Sequence, residues 1–260
     1  MTRLPAARTL LAGALTTSAL LTVGACSGMQ SWTAPRAAPA SRGATAPVTA
    51  PPSATASPAL TEAQARSALI TEVDLGEPWA PMQGTATWRD GLLKAKTPDD
   101  RPDCQRLLEG LYTDELLGAP ARAVVGLDGG YAQTQLRYQV TAQRPADVDR
   151  TLAWLKTLPE KCGTFTAVTA GGATQEVEVF EAELPEVGDA RQGLRVVLTG
   201  EQADEPSVLT VDVAAVRVGV DALTLTNGGL GEVYNEITTG VTELGAQRLA
   251  EVRKQARAEV

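Results

Sequence analysis

No histidine occurs in the 260 residues, which removes the side chain that most often serves as general base or metal ligand. Ser-His-Asp and Cys-His arrangements are therefore absent. Zinc would have to be held without imidazole and without a spare thiol. What remains is carboxylate chemistry. Asp99, Asp100 and Asp103 could contribute oxygens to Ca²⁺, but their spacing does not match a calcium loop, and helix capping and solvation account for them. Glu176, Glu178, Glu181 and Glu183 could supply the paired carboxylates of a glycoside hydrolase. Val177 and Val179 alternate with the first two, however, which is the pattern of a strand with one wet face. Gly171-Gly172 and Gly228-Gly229 read as turns. No phosphate-cradling glycine motif or dinucleotide fingerprint occurs. Trp79 and Trp88 could line a groove for an apolar ligand or pack in the core. The residues thus nominate no catalytic, metal-binding or cofactor-binding group, and the expectation is a protein that is not an enzyme.

The sharpest chemical signal is Cys26. Arg3 and Arg8 form a positive N-terminal region. Leu10 to Val23 is an uncharged, mostly apolar run of about 14 residues, too short for the roughly 20 that span a bilayer. Val23-Gly24-Ala25-Cys26 then resembles a bacterial lipobox. The implied chemistry is diacylglyceryl thioether formation on Cys26 and cleavage before it, giving a lipid-anchored (palmitate-type) protein at the extracytoplasmic face of the cell membrane. Two acyl chains matter because one holds only marginally. An ordinary secretory signal with an incidental cysteine is the alternative.

Composition divides the chain into a signal peptide (1–25), the lipidated cysteine with an Ala/Pro/Ser/Thr-rich linker (26–58), and one domain (59–260). The linker holds no acid and almost no large aliphatic, so it cannot offset its own ordering entropy. All 31 acids lie in the domain, against 19 basic residues, a net charge of −12. That balance argues against nucleic acid as partner and against lying flat on an anionic membrane. Cys104 and Cys162 form an even pair in an exported domain, which reads as a disulfide, with two buried thiols as the alternative.

Periodicity supplies the elements that must position these residues. Thr61-Glu62-Ala63-Gln64 is a capping box opening a helix to about Ile70. Asp103 can cap a helix to about Leu117, stopped by Gly118 and Pro120. A hairpin follows, with Asp128-Gly129-Gly130 as a positive-φ turn; Leu136, Tyr138 and Val140 face inward, while Gln135, Arg137 and Gln139 face water. Pro145 opens a helix that ends at Pro159. Strands are expected at 165–170, 174–183, 194–198, 208–218 and 223–225, the last closed by Asn227-Gly228-Gly229. The apolar parity of 208–218 shifts near Ala214-Ala215, which predicts a β-bulge. A last helix starts after Glu232, with a kink or break at Gly240 and Gly245. The expectation is α+β: a twisted antiparallel sheet of about six strands with helices packed against it.

Residues 59–260 resemble the extracellular sensor domain of actinobacterial PknH-type receptor kinases and the lipoproteins that share it. The likeness rests on Thr61 to Leu75 with Asp74-Leu75-Gly76, on Asp103-Cys104 with Leu107-Leu108, and on a helix ending in Lys161-Cys162. The strand Val211 to Val218 and the closing helix complete it. The resemblance implies an antiparallel sheet with helices and a cleft for a small ligand. The functional expectation is a membrane-anchored, non-enzymatic sensor or binding domain for a small or lipidic ligand or a protein partner. An envelope assembly or scaffold lipoprotein is the alternative, and a carboxylate-dependent hydrolase a more distant one.

Overall fold

One antiparallel sheet organises the domain, and the two longest helices are placed by which part of it each covers. The computed structural model describes residues 58–98, 100–131, 133–202 and 205–258. The signal segment, Cys26, the linker, Asp99 and Ala132 lie outside the described residues. In chain order the elements are α1 (Glu62–Ser67), α2 (Glu72–Leu75), β1 (Ala80–Pro81), a π-helical turn (Arg89–Leu93), β2 (Ala95–Lys96) and α3 (Pro102–Thr113). Then come β3 (Ala123–Asp128), β4 (Gln135–Ala142), α4 (Pro145–Lys161), β5 (Thr164–Thr169) and β6 (Thr174–Ala182). The chain closes with β7 (Ala190–Gln202), β8 (Glu205–Val218), β9 (Asp221–Leu230) and α5 (Asn235–Ala258).

The class is α+β as expected, but among the described residues the sheet has nine strands, ordered β1-β3-β4-β9-β8-β7-β6-β5-β2. The excess over about six comes chiefly from β1 and β2, two-residue strands that close the two edges. Two residues are too few to show a period, so neither is visible as a strand in the sequence.

No bulge interrupts β8. Its register is unbroken against β7 from Ala190↔Arg217 to Gln202↔Glu205 and against β9 from Leu209↔Leu230 to Val218↔Asp221. The parity shift has another cause. Leu209, Val211, Val213 and Ala215 point to a core shared with Leu107 and Leu108 of α3 and Leu155 of α4. Ala214, Val216 and Val218 point to the opposite core, shared with Val241 and Leu249 of α5. The helical layers sit on opposite faces and overlap over β8, so that strand is buried on both sides and reads as a continuous apolar run.

Local signals explain most of the helices. Thr61 accepts from the Gln64 backbone at 3.3 Å and Gln64 Oε1 accepts from the Thr61 backbone at 2.9 Å, a reciprocal cap on a helix shorter than expected. Asp103 does not cap α3: Arg101 holds the cap position and Pro102 opens the helix. The helix stops before Gly118, because Asp114 turns left-handed at φ 60° and Arg89 covers the freed carbonyls of Leu111 and Tyr112 at 3.1 and 2.9 Å. Likewise α4 runs past Pro159 to Lys161, with the Cys162 amide donating to Leu158 at 2.7 Å. Cys104 and Cys162 are joined as a disulfide, Cα–Cα 5.6 Å, tying the start of α3 to the end of α4.

Helix α5 is continuous over 24 residues, without a break at either glycine. Gly245 is required by packing: a Cβ there would come within 2.5 Å of the Tyr138 ring. At Gly240 nothing lies within 4 Å. The two positions should therefore respond oppositely to alanine. Gly240→Ala is expected to stabilise by up to about 1 kcal/mol through helix propensity. Gly245→Ala should destabilise, since overpacking costs about 1–3 kcal/mol against the same gain. Urea unfolding of the two variants checks the sign.

Arg248 of α5 fastens the N-terminal segment. It donates to both oxygens of Asp74 at 2.8 and 2.6 Å and to the Leu69 carbonyl at 2.7 Å. These bonds hold the Asp74 carboxyl well below the usual carboxylate range. A depressed folded-state pKa contributes stability that is complete above the unfolded value, about 4, and is lost as pH falls below it. Asp74→Asn should thus cost about 1 kcal/mol at pH 6 and progressively less below pH 4, measured by denaturant titration at each pH.

Candidate functional site

The two tryptophans singled out in the sequence part company. Trp88 is core, 2 % exposed, with its indole donating to the Gln133 carbonyl at 2.9 Å. Its ring lies over Gly228, where a Cβ would approach to 3.0 Å. Asn227-Gly228-Gly229 is accordingly interior strand in β9, not a closing turn. Trp79, half-buried, lines a cavity of about 350 Å³ between the β3–β4 hairpin tip and the start of α5.

The hairpin tip is shaped by close approach. A Cβ on Gly130 would come within 2.8 Å of Pro78, so glycine lets the Pro78-Trp79 segment lie against the turn. Neither Gly129 nor Gly130 takes a positive φ; Gln133 does, at 52°. Thr134 closes the loop by donating from its amide and its hydroxyl to the Tyr131 carbonyl, each at 2.8 Å. Tyr131, 73 % exposed, and Tyr234, 65 % exposed, both line the cavity. Ile237, Glu232 and Asn227 complete the parts of the wall that matter for chemistry.

Behind this wall runs a chain of polar contacts. Asn227 Nδ2 donates to Thr238 Oγ1 at 3.2 Å, and that hydroxyl donates to Asp212 Oδ2 at 3.2 Å. Arg195 grips both oxygens of the fully buried Asp212 at 2.7 and 2.9 Å and donates to the Val233 carbonyl at 3.1 Å. The Asp212 bond raises the Arg195 pKa, and Glu232 and Glu236 add to it. Because Thr238 spends its proton on Asp212, Asn227 must donate its amide, which fixes the flip. Its Oδ1 is left buried with no partner among the described residues, a costly state for a polar atom.

The acids nominated from sequence are scattered differently. Asp100 is exposed, and Asp103 accepts from Trp154 Nε1 and Lys161 Nζ, each at 2.9 Å, as a link between α3 and α4. Lys161 and Trp154 together hold the Asp103 carboxyl below its ordinary value. Glu176 and Glu178 lie on the uncovered sheet face over β5–β7, exposed and half-buried respectively. Glu181 and Glu183 meet Glu186, Lys156 and Arg191 in an open, polar cleft, where all three carboxylates are exposed to water. There Arg191 pairs with Glu186, and Gln192 Nε2 donates to Glu181 at 3.5 Å. The face of β4 expected to be wet is covered instead: Gln135 and Gln139 are 6 and 5 % exposed. Gln135 bonds the Gly84 carbonyl and the Ala86 amide at 2.7 and 2.9 Å. Among the described residues no group of three or more His, Cys, Asp or Glu could hold a metal ion. Sequence reasoning missed Tyr131, Tyr234 and Asn227; the usable signal was two tyrosines beside glycine-rich strand ends, where a core role is implausible.

No known protein family matches the chain, and no curated protein matches it. Among solved structures, the extracellular domain of PknH from Mycobacterium tuberculosis is similar over 76% of this chain and 99% of its own, at 16% identity and a TM-score of 0.43. An uncharacterized protein from Rhizobium leguminosarum matches over 51% of this chain and 97% of its own, at 14% identity and a TM-score of 0.25.

Proposed function

We propose that this chain is an exported lipoprotein, anchored through Cys26 at the extracytoplasmic face of the membrane, whose domain binds a small ligand without transforming it. The observation that carries the binding reading is the cavity of about 350 Å³ walled by Trp79, Tyr131 and Tyr234. A mostly apolar concavity with a few polar groups is the usual form of a ligand site. The export reading is supported by the order of charge, apolar run, small residues and Cys26. The disulfide agrees with it, because such bonds persist in oxidising compartments. Among the described residues no helix is long and apolar enough to cross a membrane.

A thermal-shift screen with envelope lipids, glycan fragments and small amines tests the binding reading. A ligand at a hundred times its Kd should stabilise the fold by about 2.7 kcal/mol. The shift should shrink in Tyr234→Ala, whose side chain is mostly exposed and whose loss leaves the core intact. A screen without any Tyr234-dependent shift would overturn it. Metabolic labelling with a fatty acid, lost in Cys26→Ser, tests the anchor.

A further inference from the structure

The composition of the cavity wall also selects a ligand chemistry. We propose that the site takes an organic ammonium group, primary or quaternary, carried on a small apolar body; this rests on the binding reading above. Three aromatic residues, Trp79, Tyr131 and Tyr234, line the cavity, and aromatic walls attract a cation through the ring quadrupole, most strongly where it is desolvated. Glu232 supplies an exposed carboxylate in the same wall. No lysine or arginine lines the cavity, so an anionic ligand would find no counter-charge.

The charges around the wall point the same way. Arg195 is spent on Asp212 and the Val233 carbonyl. Glu232 and Glu236 lie close enough to act on Arg195. The set Arg195, Asp212, Glu232 and Glu236 therefore carries a net negative charge. The first turn of α5, reaching the cavity through Ile237, favours anions through its dipole. Asp212 already accepts from Thr238 in this turn. The domain as a whole is acidic, which raises the local concentration of cations.

The test is calorimetric titration of the full chain with choline and with 3,3-dimethylbutan-1-ol, which has the same shape and lacks the charge. ¹⁵N spectra follow the Trp79 indole, assigned through Trp79→Phe. Choline is expected to bind about tenfold or more tightly than the alcohol, with the Trp79 resonance moving. Glu232→Gln should cut that preference several-fold and Tyr234→Ala should remove most of it, both with unchanged circular dichroism. Equal affinity for the two probes, or tighter binding of benzoate, would overturn the ammonium assignment while leaving a binding site. Failure of all three probes to move Trp79 would overturn the assignment as well, and the binding reading falls separately if the broad screen is also empty.

Discussion

Arg253→Leu should lower stability by about 3–5 kcal/mol, because it strands a buried carboxylate. Arg253 of α5 pairs with Asp221 at the first position of β9, the two side chains being 4 and 0 % exposed. The guanidinium lies against Gly219, where a Cβ would intrude to 2.5 Å, and Gly219 holds φ at 66°. Asp221 also accepts the Leu60 amide at 3.1 Å, so the pair joins the start of the domain to its last helix. Burial pushes the Asp221 carboxyl above its ordinary value even beside Arg253. A carboxyl whose folded pKa is raised destabilises as pH climbs from the unfolded value, about 4, through the folded one. The Arg253→Leu defect should therefore be smallest below pH 4 and largest near neutrality. Adding Asp221→Asn should recover part of the loss, since the uncompensated charge goes with it. Urea titrations of both variants between pH 3 and 7 measure this. A defect independent of pH would mean that the lost packing, not the charge, dominates.

Replacing both cysteines with serine should cost about 4 kcal/mol, the loop-closure term for a sequence separation of 58 residues. For a domain of this size that is a fall in Tm of about 10 °C. The bond lies inside the core shared by α3 and α4, with Cys104 and Cys162 1 and 0 % exposed. Around it Arg106 stacks on the Trp154 ring at 3.8 Å, and Trp154 and Lys161 bond Asp103. Because these contacts do not depend on the bond, the variant should remain folded at 25 °C, with a smaller unfolding free energy and a lower Tm. The expected observation is a lower Tm in reductant for the parent chain and no further change for the double variant. A parent Tm insensitive to reductant and denaturant together would sink the prediction.

Much of the architecture is legible in the residues because it is local. The Thr61–Gln64 cap, the alternation through Leu136, Tyr138 and Val140, and Pro145 at a helix start each declare themselves within a few positions. Three of the errors share one physical cause: the signal depended on what packs from far away. The shift at Ala214-Ala215 looks like an extra residue when one face is assumed wet, and like plain strand once helices cover both. Asn227-Gly228-Gly229 has turn composition, yet Gly228 is there because Trp88, 140 positions earlier, occupies the space a side chain would need. Gly245 answers to Tyr138 in the same way. The cavity was legible only through Trp79, since its other aromatic walls come from a hairpin tip and a helix start that meet only after the sheet has formed. Asn227 was invisible as a site residue because its orientation is set by Thr238 and Asp212.

The Leu60 amide, close to the start of the described residues, donates to Asp221 at one end of β9, and Leu230 at the other end borders the aromatic cavity. At about 3.4 Å per residue the two are roughly 30 Å apart. The Leu60 contact and the cavity therefore sit at opposite ends of one strand. Under the anchor and the site proposed above, load on the chain would enter through the Asp221–Arg253 pair, one strand-length from the aromatic cavity.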